Sequence, residues 1–212
     1  MMASVASAVE EAIKTDMRVY DALRMGITNN RRLAQHIQKD VSRLTGYNTK
    51  VSTIAVTLQR IGSRIHEDED TKYNDIFGKS RLQMLDDINI LYLRGNPELK
   101  EPEECKDCFY VRIQGIGTTT LMVDDRGIES VKYKREDLLK KISNLSAIII
   151  ASPEDIVDTP GVIAQLMMSL GGNKINLIEV TSSYDNTIII VDKKDSLKAV
   201  DVVRSLIRKT RR

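Results

Sequence analysis

Three places in this 212-residue chain combine residue types that could do chemistry at a useful spacing. The first is Asp158-Thr159-Pro160-Gly161-Val162-Ile163, set between the apolar run Ala147-Ile148-Ile149-Ile150-Ala151 and the segment Lys174–Val180. A strand, a turn pinned by Pro160 and Gly161, and a helix from Val162 to Met168 would leave free backbone N–H groups open toward the turn. A small anion or carboxylate can bind there. The second is Cys105-x-x-Cys108, in a charged loop. It supplies half of a tetrahedral zinc set, and neither His36 nor His66 stands at metal-ligand spacing from it. The expectation is an incidental pair and no metal or other cofactor, the alternative being a metal site completed across a dimer. The third, Gly115-Ile116-Gly117-Thr118-Thr119-Thr120, has the glycines of a phosphate loop but not its Gly-Lys-[Ser/Thr] ending, and a strand-like run follows it. No nucleophile elbow, no His-Glu-x-x-His and no carboxylate pair in an apolar setting is present. The chain reads as a sensor, not an enzyme.

Charge adds a second theme. The net charge is only +2, yet between Lys14 and Arg64 ten basic residues face three acidic ones, and Glu67-Asp68-Glu69-Asp70 is an acidic run directly after. Such asymmetry points to a polyanionic partner. The elements that would present these charges are three helices: Val5–Leu23, with Val9, Ile13, Met17, Tyr20 and Leu23 as its stripe; Asn30–Leu44, capped at Thr28-Asn29; and about Lys50–Ile65. The third has Val51, Ile54, Ala55, Leu58 and Ile61 on its inner side and Lys50, Thr53, Thr57, Arg60 and Arg64 on its outer side. This pattern resembles a winged-helix or helix-turn-helix DNA-binding domain. The resemblance implies that Lys50, Thr53, Thr57, Arg60 and Arg64 meet double-stranded DNA in the groove, with Arg31, Arg32 and Lys39 on phosphates. With two Phe, seven Tyr and no Trp, single-stranded RNA is the poorer partner.

Further along, Glu67–Gly78 reads as a linker or the start of a short polar helix. Ser80–Leu85 reads as a helix, Ile88–Leu93 as a strand, and Phe109–Ile113 with Thr119–Val123 as a hairpin. Arg135–Ile142 reads as a helix, Ala147–Ala151 as a strand, and Ser196–Ile207 as a last helix.

From Ser146 to Ile207 the chain resembles an ACT domain, in particular the regulatory ACT repeats of aspartate kinases. The resemblance is carried by Ser152, Asp158, Pro160-Gly161-Val162, Ala164, Leu166, Asn173, Ile175-Asn176-Leu177-Ile178-Glu179 and Thr187–Asp192. It implies a ferredoxin-like strand-helix-strand-strand-helix-strand unit, of which the C-terminal copy lacks its last strand. The middle segment must therefore supply strands or form a degenerate partner unit, interlocked as in aspartate kinases, or a partner chain must complete the sheet. The resemblance also implies an amino-acid ligand at an interface between units, met by Asp158, Pro160, Gly161, Val162 and Ile163 on one side and Asn176 and Leu177 on the other. The kinase portion has no counterpart, so no phosphoryl transfer is implied.

The expected fold class is thus α+β: an N-terminal three-helix domain over residues 1–70, a connecting region over 71–107 with a short helix and strand, and ACT-like regulatory domain(s) over 108–212. The expected function is an amino-acid-responsive transcription regulator, acting as a homodimer or higher homo-oligomer through its ACT domains. The alternative is a stand-alone ACT regulatory subunit of a biosynthetic enzyme, without DNA binding. No run approaches the roughly 20 apolar residues of a membrane span, and the N-terminus lacks the basic start of a signal peptide, so a cytoplasmic location is expected.

Overall fold

The computed structural model describes residues 2–65, 70–99 and 108–210. Cys105, His66 and Glu67–Glu69 lie outside the described residues. The chain divides into two compact units, Met1–Lys72 and Tyr73–Arg212.

In the first unit the described residues form α1 (Val5–Lys14), α2 (Met17–Arg24), α3 (Asn30–Thr45) and α4 (Val51–Ile65). The single helix expected over Val5–Leu23 is two helices. Asp16 ends the first and caps the second, accepting from the Arg18 N–H at 3.1 Å and gripping its guanidinium at 2.9 Å. The Arg18 bond holds the Asp16 carboxyl below its ordinary value. The break was hidden because the apolar residues on either side keep helical spacing across it. Asn29 caps α3 through its side chain, and Gly46 ends it at φ +78°, where a side chain would be strained. Ala8, Val9 and Ile13 of α1, Ala34, Ile37 and Val41 of α3, and Ile54, Leu58 and Ile61 of α4 form one buried core. All regular elements described in residues 2–65 are helices, so no wing hairpin is among them.

The second unit contains α5 (Asp70–Lys79, which begins before the boundary), β1 (Arg81–Arg94), β2 (Tyr110–Gln114), β3 (Thr118–Asp124), α6 (Asp125–Ile128), β4 (Leu138–Ala151), α7 (Val162–Gly172), β5 (Leu177–Ser183), β6 (Asn186–Asp192) and α8 (Ser196–Thr210). The strands make one six-stranded sheet in the order β2-β3-β1-β4-β6-β5, each neighbour antiparallel to the next. Two expected helices are corrected. Ser80–Leu85 is not helical, because Arg81–Leu85 pair with Ala147–Ala151, and Arg135–Ile142 is a single 3-10 turn followed by the start of β4. The stretch assigned to a connecting region therefore holds the strand at the middle of the sheet.

The 14-residue strands β1 and β4 explain the strand count. Each carries a left-handed residue at its seventh position, Asp87 at φ +58° and Asn144 at φ +62°, beside register shifts around the Ile88–Leu145 pair. Such bulges bend and twist a strand, so one strand can serve two half-sheets. The inner half of β1 lies beside β4, β6 and β5 and takes the place of the strand the C-terminal copy lacks. The outer half of β1 lies beside β3 and β2, with the start of β4 on its other side.

One face is covered by helices: Val162, Leu166 and Leu170 of α7, Val200, Val203 and Ile207 of α8, and Ile76 and Phe77 of α5 pack with Ile148, Ile150, Ile189 and Val191. The other face gathers Ile88, Ile90, Met122, Leu145, Ala147 and Ile190. It is concave. The Tyr92 hydroxyl on β1 donates to Glu179 Oε1 on β5 at 2.7 Å, although two strands lie between them. At about 4.8 Å per strand a flat sheet would hold β1 and β5 roughly 14 Å apart.

Candidate functional site

The turn before α7 is built from short local bonds. Ser152 N–H donates to the Asp185 carbonyl at 2.8 Å, the Thr159 hydroxyl to the Asp155 carbonyl at 2.7 Å, and Gln165 N–H closes the first helical bond on Gly161 at 2.9 Å. Gly161 stands at φ +87° as the N-cap, and no side chain caps the helix. The first N–H groups of α7 thus point out of its end with no side-chain acceptor, the arrangement that suits a carboxylate. Asp158 and Pro160 are exposed, and Ile163 is half-buried. Val162 is only 2% exposed and its side chain belongs to the core, so it can offer a ligand its N–H alone.

Asn176 and Leu177 lie beyond the other end of α7, an 11-residue helix about 16 Å long. One chain does not bring them to the turn. A group the sequence reading missed does sit there: Tyr184, in the β5–β6 turn at φ +53°, hydrogen-bonds Glu154, and this bond raises its phenol above the ordinary value. Tyr184 and Val157 expose 63% and 62% of their surface beside the turn. A tyrosine followed by Asp185-Asn186 marks a hairpin turn in the sequence, but nothing local says which loop it meets.

In the first unit the connection between α3 and α4 is held from several sides. Ser42 Oγ accepts from Thr49 N–H at 3.1 Å, the Thr45 and Thr49 hydroxyls meet at 3.1 Å, and Gln38 Nε2 donates to the Thr49 carbonyl at 3.0 Å. This fixes where α4 starts. Opposite its buried stripe, Lys50, Thr53, Arg60 and Arg64 are exposed, while Thr57 is half-buried. Two of the five are engaged: the Thr57 hydroxyl donates to the Thr53 carbonyl at 2.9 Å, and Arg64 reaches Glu10 at 3.5 Å. Val56, 58% exposed, falls three residues after Thr53 and four before Arg60 on the same side. It belongs to neither the inner nor the outer set read from the sequence. Arg31, Arg32 and Lys39 of α3 are also exposed.

Residues 141–205 match the ACT domain family. The matched span holds most of β4 and all of α7, β5 and β6, so the Gly161 turn lies within the ACT domain. No curated protein matches the chain. Among solved structures, it is similar to the aspartate kinase of Clostridium acetobutylicum, at 13% identity and a TM-score of 0.47, covering 59% of this chain and 34% of that one. The chain therefore spans about a third of that enzyme's length. It is similar to the ligand-free regulatory subunit of aspartate kinase from Thermus thermophilus, at 12% identity and a TM-score of 0.44, covering 59% of this chain and 95% of that one. A putative C-terminal regulatory domain of aspartate kinase from Porphyromonas gingivalis stands at 11% identity and a TM-score of 0.39, covering 61% of this chain and 98% of that one. Among the described residues no helix is long and apolar enough to cross a membrane, and no group of three or more His, Cys, Asp or Glu could hold a metal ion.

Proposed function

We propose that this chain is a ligand-responsive DNA-binding regulator, in which the ACT domain senses an amino acid and the helical unit binds duplex DNA. The observation that carries it is α4: a buried stripe of Ile54, Leu58 and Ile61 holds the helix while Lys50, Thr53 and Arg60 stand exposed on the other side. An amino acid at the Gly161 turn would place its carboxylate on the N–H groups of Gly161 and Val162 and its amine toward Asp158. Asn176 and Leu177 of a second copy would form the facing wall, with Pro160 and Ile163 shaping the edge. A ligand that prefers one pairing of ACT domains shifts the spacing of the DNA-reading helices.

Electrophoretic shift of duplex DNA across a salt series tests the reader. Lys50→Gln with Arg60→Gln should lower the slope of log affinity on log salt by roughly 0.9 for each phosphate that is no longer neutralised. Absence of binding by the unaltered chain at low salt removes this reading. A thermal-shift series over the amino acids tests the sensor, since a ligand at 100 times its Kd stabilises by about 2.7 kcal/mol.

The second reading is a regulatory subunit of an amino-acid biosynthetic enzyme that does not touch DNA. The engagement of Thr57 and Arg64 within their own unit favours it. A ligand response without any DNA shift would decide for it.

A further inference from the structure

We propose a second small-molecule site at the outer end of β1, for an organic anion carrying two separated negative groups. A cleft of about 720 Å³ lies between Asn96–Leu99 after β1, Arg112 on β2, and the Lys132-Tyr133-Lys134 segment that leads toward β4. Among the described residues that line it, Arg112, Lys132 and Lys134 accompany one carboxylate, Glu98. The ammonium groups of Lys132 and Lys134 have no hydrogen bond or ion pair among the described residues. Arg112 is oriented, its Nη2 donating to Asn96 Oδ1 at 2.6 Å.

Tyr133 is half-buried, while the lysines on either side of it are exposed. Tyr133 and Leu99 pack on the core of Leu91, Leu93, Leu121 and Val123 and give the cleft an apolar wall. Cations set around an apolar wall fit a carbon skeleton with an anionic group at each end, such as a polycarboxylate or a phosphate ester. A duplex backbone offers that wall nothing. The site does not depend on the sensor reading of the Gly161 turn.

Calorimetric titration of the full chain with citrate and with pyrophosphate at low salt is the test. Saturable binding of citrate is expected, weakened at least tenfold in the Lys132→Gln/Lys134→Gln double variant, with pyrophosphate, which has no carbon skeleton to lay on the wall, binding more weakly. It should be kept in Lys132→Arg/Lys134→Arg, in Gly161→Ala and in Lys198→Gln, a lysine on α8. No binding of either probe overturns the proposal, as does equal weakening by Lys198→Gln, which would mean bulk charge alone. Loss of duplex DNA binding in the double variant, with citrate and pyrophosphate silent, would assign the cleft to nucleic-acid phosphates and also overturn it.

Discussion

Replacing Tyr92 by Phe removes one hydroxyl from the concave face of the sheet and should cost stability only while that hydroxyl is protonated. Burial first, and then the Glu179 carboxylate it bonds at 2.7 Å, push the phenol from 10.0 up to about 12. Because the folded value is raised, the stabilisation is fully present below about pH 10 and is lost as pH rises through about 12. Two units at 1.36 kcal/mol each set an upper bound of about 2.7 kcal/mol. Tyr92 and Glu179 are both half-buried, so solvent screening reduces the expected difference to about 1 kcal/mol. Urea unfolding of the unaltered chain and of Tyr92→Phe, repeated from neutral pH upward, should give a constant gap that closes above pH 10. Glu179→Gln should lower the phenol value only part of the way, because burial is the larger cause. A tyrosinate difference titration placing Tyr92 at its ordinary value would refute the bond, and with it the curl that carries β1 to β5.

Gly161→Ala places a side chain at φ +87°, which should cost roughly 1–2 kcal/mol in thermal unfolding and abolish any amino-acid response. Leu166→Ala empties a site 2% exposed under α7 and should cost about 2–5 kcal/mol, seen as a lower urea midpoint with little change in slope. Asp124 is raised by burial but lowered more by its bonds to Arg126, Gly127 N–H and Phe109 N–H, so its net value is depressed. It therefore stabilises above its ordinary value of 3.8 and ceases to do so as pH falls through the folded value, and Asp124→Asn should flatten the acid limb of the stability curve. Asn29→Ala should cost about 1 kcal/mol through loss of the α3 cap, read by chemical denaturation.

What was legible in the sequence was whatever depended on near neighbours. The cap at Asn29, the inner stripe of α4, the Gln114–Gly117 hairpin turn and the strand-turn-helix at Gly161 each announce themselves within a dozen residues. Position in the sheet does not. Arg81–Leu85 mixes long polar and apolar side chains because one face meets the helix layer and the other is open, so its composition suited a helix equally well. Leu138-Leu139-Lys140-Lys141-Ile142 reads as amphipathic because Leu138 and Ile142 pack on apolar clusters while Leu139, Lys140 and Lys141 are exposed. The Tyr184–Glu154 bond and the Arg112–Lys134 cleft join residues 20 or more positions apart, which no local pattern reports.

The two bulged strands show why the missing strand could not be found by counting. A side-chain period of two identifies a strand face only while the register holds, and each left-handed residue resets it. At Asp87 and Asn144 the resets fall at the same position of two equally long strands, and from there both continue with four buried residues in a row. A run buried on both sides has no alternation, so Ile88–Leu91 and Leu145–Ile148 look like fragments of short strands. The polar bonds at the crossing, Ser146 Oγ to Asp86 and Lys193 Nζ to Asp87 at 2.7 Å, tie the bend of β1 to β4 and to the turn after β6. Polar residues that look like a turn between two short strands are therefore the bend within one long strand. That bend lets the outer half of the sheet and the ACT domain share β1 and β4, with neither complete without the other.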